Sequence, residues 1–196
     1  MQPKTLNPSG ILNSKSELRK LHLDIALEIT CITLIMLLAF AVRILPLKWG
    51  AYLSEFDPFW HYYVTQHIVD NGVGWIFTDS WHDMRTWFPI GRDVSSTTPM
   101  GLPLTAATIF LLLKGLGLHI ELYDLTVYFP PFMAMLTSLA IYFLGKELGG
   151  RETGIFSSLF IALSGAYIMR TTLGFFKHET VGVFAIIMVI LFFLRA

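Results

Sequence analysis

One cysteine, no excess of either charge sign and few charged side chains remove several classes of protein at once. Cys31 has no partner for an internal disulfide, so a cystine-stapled extracellular scaffold is excluded. It lies in an apolar run and reads as a small hydrophobe, facing lipid or packed. Fourteen Lys and Arg balance fourteen Asp and Glu. Without a basic surface a nucleic acid finds nothing to hold its phosphates. No cleavable signal peptide is expected, because the first apolar run follows a polar tail, exceeds a signal core in length and has no small-residue cleavage pattern after it. What the chain does have is hydrophobicity: 54% of its 196 residues are hydrophobic and 14% charged. With a mean hydropathy of +0.60, that is the composition of a membrane protein.

The expected fold is all-α: a polytopic transmembrane helical protein with a long, partly helical first extracytoplasmic loop. Residues 1–24, rich in Pro, Ser and Gly at the start, read as a disordered or loosely helical cytoplasmic tail. Residues 25–47 are apolar except for Glu28, Thr30, Thr33 and Arg43, and form the first transmembrane helix, kept as an anchor. Glu28 and Arg43 sit near its ends, where both can snorkel. Arg43 facing a polar cavity is the open alternative.

The tail carries Lys4, Lys15, Arg19 and Lys20 against Glu17 and Asp24. The polar stretch 48–98 carries Glu55, Asp57, Asp70, Asp79, Asp83 and Asp93 against Lys48, Arg85 and Arg92. The positive-inside rule therefore puts the N-terminus in the cytoplasm and the loop outside, in an integral protein of the cell membrane. The loop covers 48–124 and is crowded with aromatics, among them Trp49, Tyr52, Phe59, Trp60, Trp75, Phe77, Trp81 and Trp87, which read mostly as an interfacial belt. Within it, Trp87 to Arg92 has the Pro and Gly punctuation of a tight turn presenting an Arg.

Three further apolar runs, 125–144, 154–169 and 180–194, give three more transmembrane helices over 125–196, the last short enough to read as truncated. The run 100–118 is ambiguous, since it contains Pro103, Lys114, Gly115 and Gly117. Were it to span, residues 171–179 would fall on the face opposite Asp57. We take it as a re-entrant or interfacial helix, which leaves both on one face.

Asp57 precedes Pro58 and has the position of a helix N-cap, the helix running from Pro58 to about Asp70 and stopping at Asn71-Gly72. Far downstream, Arg170-Thr-Thr-Leu-Gly-Phe-Phe-Lys177-His178-Glu179 packs ionisable groups at a membrane boundary. Carboxylates from two loops with an imidazole beside one are a half-shell for a divalent cation, which would neutralise a departing phosphate. The alternative is an interfacial Lys177–Glu179 pair, with Arg170 and His178 on lipid headgroups.

In order and spacing, Glu55-Phe-Asp57-Pro-Phe-Trp-His-Tyr-Tyr63, then Trp87-Phe-Pro-Ile-Gly-Arg92 and Thr98-Pro-Met-Gly101, then Arg170 to Glu179, resemble the N-terminal part of the oligosaccharyltransferase catalytic subunit. The likeness runs from about Arg43 to the chain end and points to the archaeal type. It implies a C-type glycosyltransferase that moves a glycan from a dolichol-linked phosphate or pyrophosphate to the amide nitrogen of Asn in Asn-x-Ser/Thr, with inversion at the anomeric carbon. Its partners would be the lipid-linked oligosaccharide, the acceptor polypeptide and membrane lipids. Its cofactor would be Mn²⁺ or Mg²⁺.

By this likeness Asp57 and Glu179 are catalytic and, with His178, metal-binding, while Arg170 and Lys177 contact donor phosphate or acceptor. The family's second motif is Asp-x-Glu, or Asp-x-His, seven residues after an Arg, and Lys177 stands where its first Asp is expected. Three outcomes follow: His178 or a water replaces that ligand, Lys177 turns away to bind phosphate, or activity is lost. The family's later Glu and its Trp-Trp-Asp signature lie beyond this chain, so the chain alone is expected not to catalyse transfer. Another polyprenyl-phosphate-sugar glycosyltransferase, or a non-catalytic membrane subunit, remains an alternative.

Overall fold

The structure, a computed structural model, describes residues 8–74 and 81–196. Expectations for residues 1–7, and for Trp75 and Phe77, lie outside the described residues. Helix dominates, and among the described residues two helical stretches are long and apolar enough to cross a membrane, Arg19–Trp49 and Leu122–Leu163.

Helix α1 covers Pro8–Arg43. It starts well before the expected 25 because residues 11–43 contain neither Pro nor Gly, so nothing interrupts the intrahelical ladder. Pro46 ends it, and a 3₁₀ turn over Leu45–Trp49 follows. Leu27, Ile29, Leu34 and Leu37 on its surface are 54–60% exposed, as suits a helix solvated by hydrocarbon rather than water.

Helix α2 is Phe56–Asn71, stopped by Gly72 at φ 81°. A two-residue antiparallel pairing follows, β1 (His82–Asp83) with β2 (Arg92–Asp93), and then α3 (Val94–Thr97), capped by the Asp93 carboxylate accepting from Ser95 N at 3.1 Å. This short hairpin is the one strand pairing described in a chain expected to be all-α. Helix α4 is Gly101–Gly115.

Helix α5, Leu122–Leu163, is two antiparallel halves joined at Gly149 (φ −149°, ψ 18°) and Gly150 (φ 82°, ψ −173°). We call them α5a and α5b. They cross closely where Gly145 meets Gly154, and Ser158 Oγ donates to Ser138 O at 2.7 Å. Helix α6 (Gly165–Thr171) continues α5b beyond a break at Ser164, and α7 is Glu179–Arg195.

The ends are tied by charge. At one end Glu28 receives Tyr142 Oη and Lys146 Nζ and pairs with Arg151 Nε at 2.7 Å, while Arg195 pairs with Glu147 at 3.0 Å. At the other end Arg43, fully buried, donates to Ala39 O at 2.8 Å, Ala162 O at 2.9 Å and Thr171 Oγ1 at 2.6 Å. The expectation that Glu28 snorkels is thus corrected, and Arg43 takes the interior alternative. Arg43 finds acceptors inside the bundle, and Glu28 finds counter-ions beside the Gly149-Gly150 turn, which offset the cost of burial.

Residues 171–179 lie at the Arg43 end together with Asp57, and α4 packs beside them. It packs Leu102 and Ala106 into a cluster with Leu53, Val127, Met133, Leu173 and Phe176. That cluster is the floor of the site. An apolar groove of about 450 Å³ between α4 and α5a, lined by Ile109, Leu113, Leu125, Tyr128 and Phe132, holds none of the site's ionisable groups.

Candidate active site

The segment 171–178 is fastened by polar groups left to spare at two helix ends and at one proline inside a helix. The last carbonyls of a helix lack intrahelical donors, and Arg43 O at the end of α1 accepts from Leu173 N at 2.9 Å and Thr172 Oγ1 at 3.3 Å. Pro131 has no N–H, which frees Val127 O four residues earlier in α5a; that carbonyl accepts from Gly174 N at 2.9 Å. Gly174 O in turn accepts from Ser54 N at 3.0 Å, just before α2. The stretch carrying Lys177, His178 and Glu179 is therefore bonded to the stretch carrying Glu55 and Asp57.

Across this seam Lys177 Nζ lies 2.9 Å from Asp57 Oδ2 and 3.0 Å from Glu55 Oε2, its side chain only 11% exposed. The hydrogen bond from Lys177 holds the Asp57 carboxyl below its usual range, against the opposing effect of burial. The bond to Asp57 raises the Lys177 ammonium in the same way. Glu55 sits at φ 66°, ψ 177°, a region that essentially only glycine enters freely. Such a conformation costs about 1–3 kcal/mol and persists where the surroundings over-determine it; here the Ser54–Gly174 bond on one side and the ammonium on the other do so.

Glu179 opens α7, where a carboxylate also favours the helix dipole. Its Oε1 receives Arg170 Nη1 at 3.4 Å, and its Oε2 stands 3.9 Å from His178 Nδ1. Arg170 and His178 keep more than half of their side chains exposed, at 54% and 58%.

Beside these groups His61 is 4% exposed, with its ring 6.1 Å from that of His178 and 6.4 Å from Phe176. Burial, reinforced by the neighbouring His178, pushes its imidazole down from the ordinary 6.5 to about 4; Asp57 and Glu179 pull the other way without prevailing, and Arg92 adds a smaller push down. Since the unfolded chain then binds more protons than the folded one between those values, stability falls as the pH drops from about 6.5 to about 4 and levels below. The loss amounts to about 3 kcal/mol at order-of-magnitude level. Asp57 acts in a separate, lower window, its depressed carboxyl losing its contribution only below 3.8. Thermal melting against pH in detergent checks this: His61→Phe should flatten the upper window and leave the lower one.

The sequence expectations are met unevenly. Asp57, His178, Glu179 and Arg170 do come together at one end. Asp57 is not the N-cap: α2 begins at Phe56, no side chain caps it, and the Asp57 carboxylate is turned onto Lys177 instead. Lys177 does not turn away toward a phosphate, because the two carboxylates take its ammonium. Nor does Arg92 stand out of its turn. It is held between the rings of Trp60 at 4.4 Å and Trp87 at 5.0 Å and donates to Thr97. Trp60, Tyr63, His67 and Trp81 pack on one another, while Trp49, Tyr52, Phe56, Phe59, Trp87 and Phe88 are exposed. Glu55 and His61 carry site geometry that the residue pattern did not assign. His61 had a signal, four residues after Asp57 on one helix face; Glu55 had none beyond adjacency.

The divalent-cation expectation does not fit this donor set. Among the described residues no group of three His, Cys, Asp or Glu side chains is placed to hold a metal ion. Asp57 and Glu179 already face Lys177 and Arg170.

A bundle of apolar helices that closes two carboxylate-bearing loops over one end defines a helical protein of membrane-like composition with an ionisable site at that end. Residues 26–196 match the family model described as "Oligosaccharyl transferase STT3, N-terminal", and the chain belongs to that family. It is 31% identical to the dolichyl-diphosphooligosaccharide–protein glycosyltransferase subunit STT3B of Arabidopsis thaliana, over 100% of this chain and 26% of the relative. It is 36% identical to subunit STT3A of Oryza sativa subsp. japonica, over 79% of this chain and 19% of the relative. The chain thus spans about a quarter or less of these relatives. Its fold is similar to the archaeal oligosaccharyltransferase AglB from Archaeoglobus fulgidus, solved with an inhibitory peptide and a dolichol-phosphate. That match has a TM-score of 0.71 and 19% identity, over 86% of this chain and 19% of that one.

Proposed function

We propose that this chain forms the N-terminal, carboxylate-bearing part of a membrane oligosaccharyltransferase. The transfer it serves moves a glycan from a dolichol-linked phosphate or pyrophosphate onto Asn in Asn-x-Ser/Thr. The observation that carries this reading is the seam itself: the Asp57 and Glu179 loops, 122 positions apart, are bonded through Ser54–Gly174 and Lys177–Asp57 at one end of the bundle. In this reading α1, α5a, α5b with α6, and α7 each cross the membrane, with the N-terminus cytoplasmic and the seam extracytoplasmic.

An amide nitrogen is a poor nucleophile, so a carboxylate must accept its proton or break its conjugation. Asp57, two-thirds exposed and acceptor-only when ionised, is placed for that role. Arg170 presents a half-exposed fork suited to phosphate oxygens, with Glu179 orienting it.

A chimera tests this: residues 26–196 replace the matching segment of one of the plant relatives, and glycan transfer to an Asn-x-Thr peptide is measured. Transfer is expected, with Asp57→Ala lowering it by about a hundredfold or more. A chimera that assembles in the membrane yet transfers nothing would sink the catalytic reading and favour a non-catalytic member, for which the Lys177–Asp57 bond is the motivating observation.

A further inference from the structure

Three features at the seam point the same way. Lys177 Nζ stands within hydrogen-bond distance of two carboxylates that belong to one turn of chain, at 3.0 Å from Glu55 and 2.9 Å from Asp57. An ammonium donates three bonds and accepts none, so it is a point charge presented to oxygen ligands, as a small cation would be. The Lys177 backbone is fixed on both sides, its N–H donating to Phe175 O at 2.9 Å and its carbonyl accepting from Thr180 N at 3.2 Å and Thr180 Oγ1 at 2.7 Å. The Phe175 ring lies 4.8 Å from Nζ and closes one side. Glu55, finally, is held in a glycine-type backbone conformation while its carboxylate meets that ammonium. The third carboxylate of the cluster, Glu179, has its own cation in Arg170.

We propose that the Lys177 ammonium is the built-in cation of this site: it takes the place between Glu55 and Asp57 that a divalent ion would fill, and makes the carboxylate cluster metal-independent. A divalent ion entering there would lose the two best oxygen ligands to Lys177 and meet a like charge at contact range. This concerns ion binding by the chain itself and does not require that the chain transfer glycan. Its consequence is that the charge joining the α2 loop to the 171–178 segment is covalently installed, and chelation leaves it intact.

The test is a Mn²⁺ titration of the purified full chain in detergent, read by the electron paramagnetic resonance signal of free Mn²⁺. The wild-type chain is expected to bind no Mn²⁺ at the seam up to about millimolar concentration, whereas Lys177→Asp, which supplies a third hard oxygen ligand, binds one ion about tenfold tighter or better. That gain disappears when Asp57→Ala is added. In thermal melting, excess EDTA leaves the wild-type midpoint unchanged, and Mn²⁺ raises the midpoint of Lys177→Asp but not of wild type. Wild-type binding of one Mn²⁺ that Asp57→Ala abolishes overturns the proposal. So does a Lys177→Asp chain with wild-type helical content and no gain in Mn²⁺ affinity. The wild-type titration decides the matter even if that variant does not fold.

Discussion

Alanine at Gly174 is expected to destabilise the chain by about 3 kcal/mol or more. A Cβ there would stand 1.9 Å from Tyr52 O, and φ at this position is +78°, where an L side chain is already strained. The obstructing atom is backbone and has no rotamer to change. Gly174 is also bonded on both sides, its N–H to Val127 O at 2.9 Å and its carbonyl to Ser54 N at 3.0 Å, so the loop cannot retreat without giving up the seam. Thermal or chemical unfolding in detergent, followed by helical circular dichroism, measures the effect. Tyr52→Ala combined with Gly174→Ala provides the control: because the clash is with the Tyr52 carbonyl and not its ring, removing the ring should restore nothing. Recovery in the double variant would show that the close approach is not through backbone.

Phe176→Ala should cost about 3–5 kcal/mol, the range for emptying a fully buried aromatic site. Phe176 is 0% exposed; its ring meets Phe129 edge-on at 5.4 Å and His61 at 6.4 Å. It also belongs to the cluster that joins Leu53, Leu102, Val127 and Met133 beneath the seam. Phe176→Leu keeps most of the volume and should cost only about 1 kcal/mol. The two unfolding free energies separate packing from proximity to the ionisable groups. If Phe176→Ala cost no more than Phe176→Leu, the floor of the site would not be packed as described.

The helical class and the hydrophobic stretches were legible because both are local. The run 125–144 lies within an observed helix and most of 25–47 and 154–169 is helical, and Gly72 ends α2 where the Asn71-Gly72 signal placed the stop. Boundaries were less legible. The start of α1 moved toward the N-terminus, since lack of a breaker extends a helix more surely than polarity ends it. The hairpin at Gly149-Gly150 joins what read as separate runs, because two glycines turn the chain within a single step.

The pair of stretches 54–57 and 170–179 could be named in advance, because the residue types there and their spacing are properties of the chain. Asp57, with which the expectation of a helix cap and metal ligand began, is the clearest case of what could not be. Whether its carboxylate turns to its own backbone, to an ion or to Lys177 depends on where a segment about 120 residues later arrives, and that is set by Arg43 O, Val127 O and Ser54 N. Local sequence determined which charges exist and which helices carry them. The tertiary structure alone decided their pairing, because coulombic and hydrogen-bond energies depend on separations of a few ångströms that only the packed helices establish.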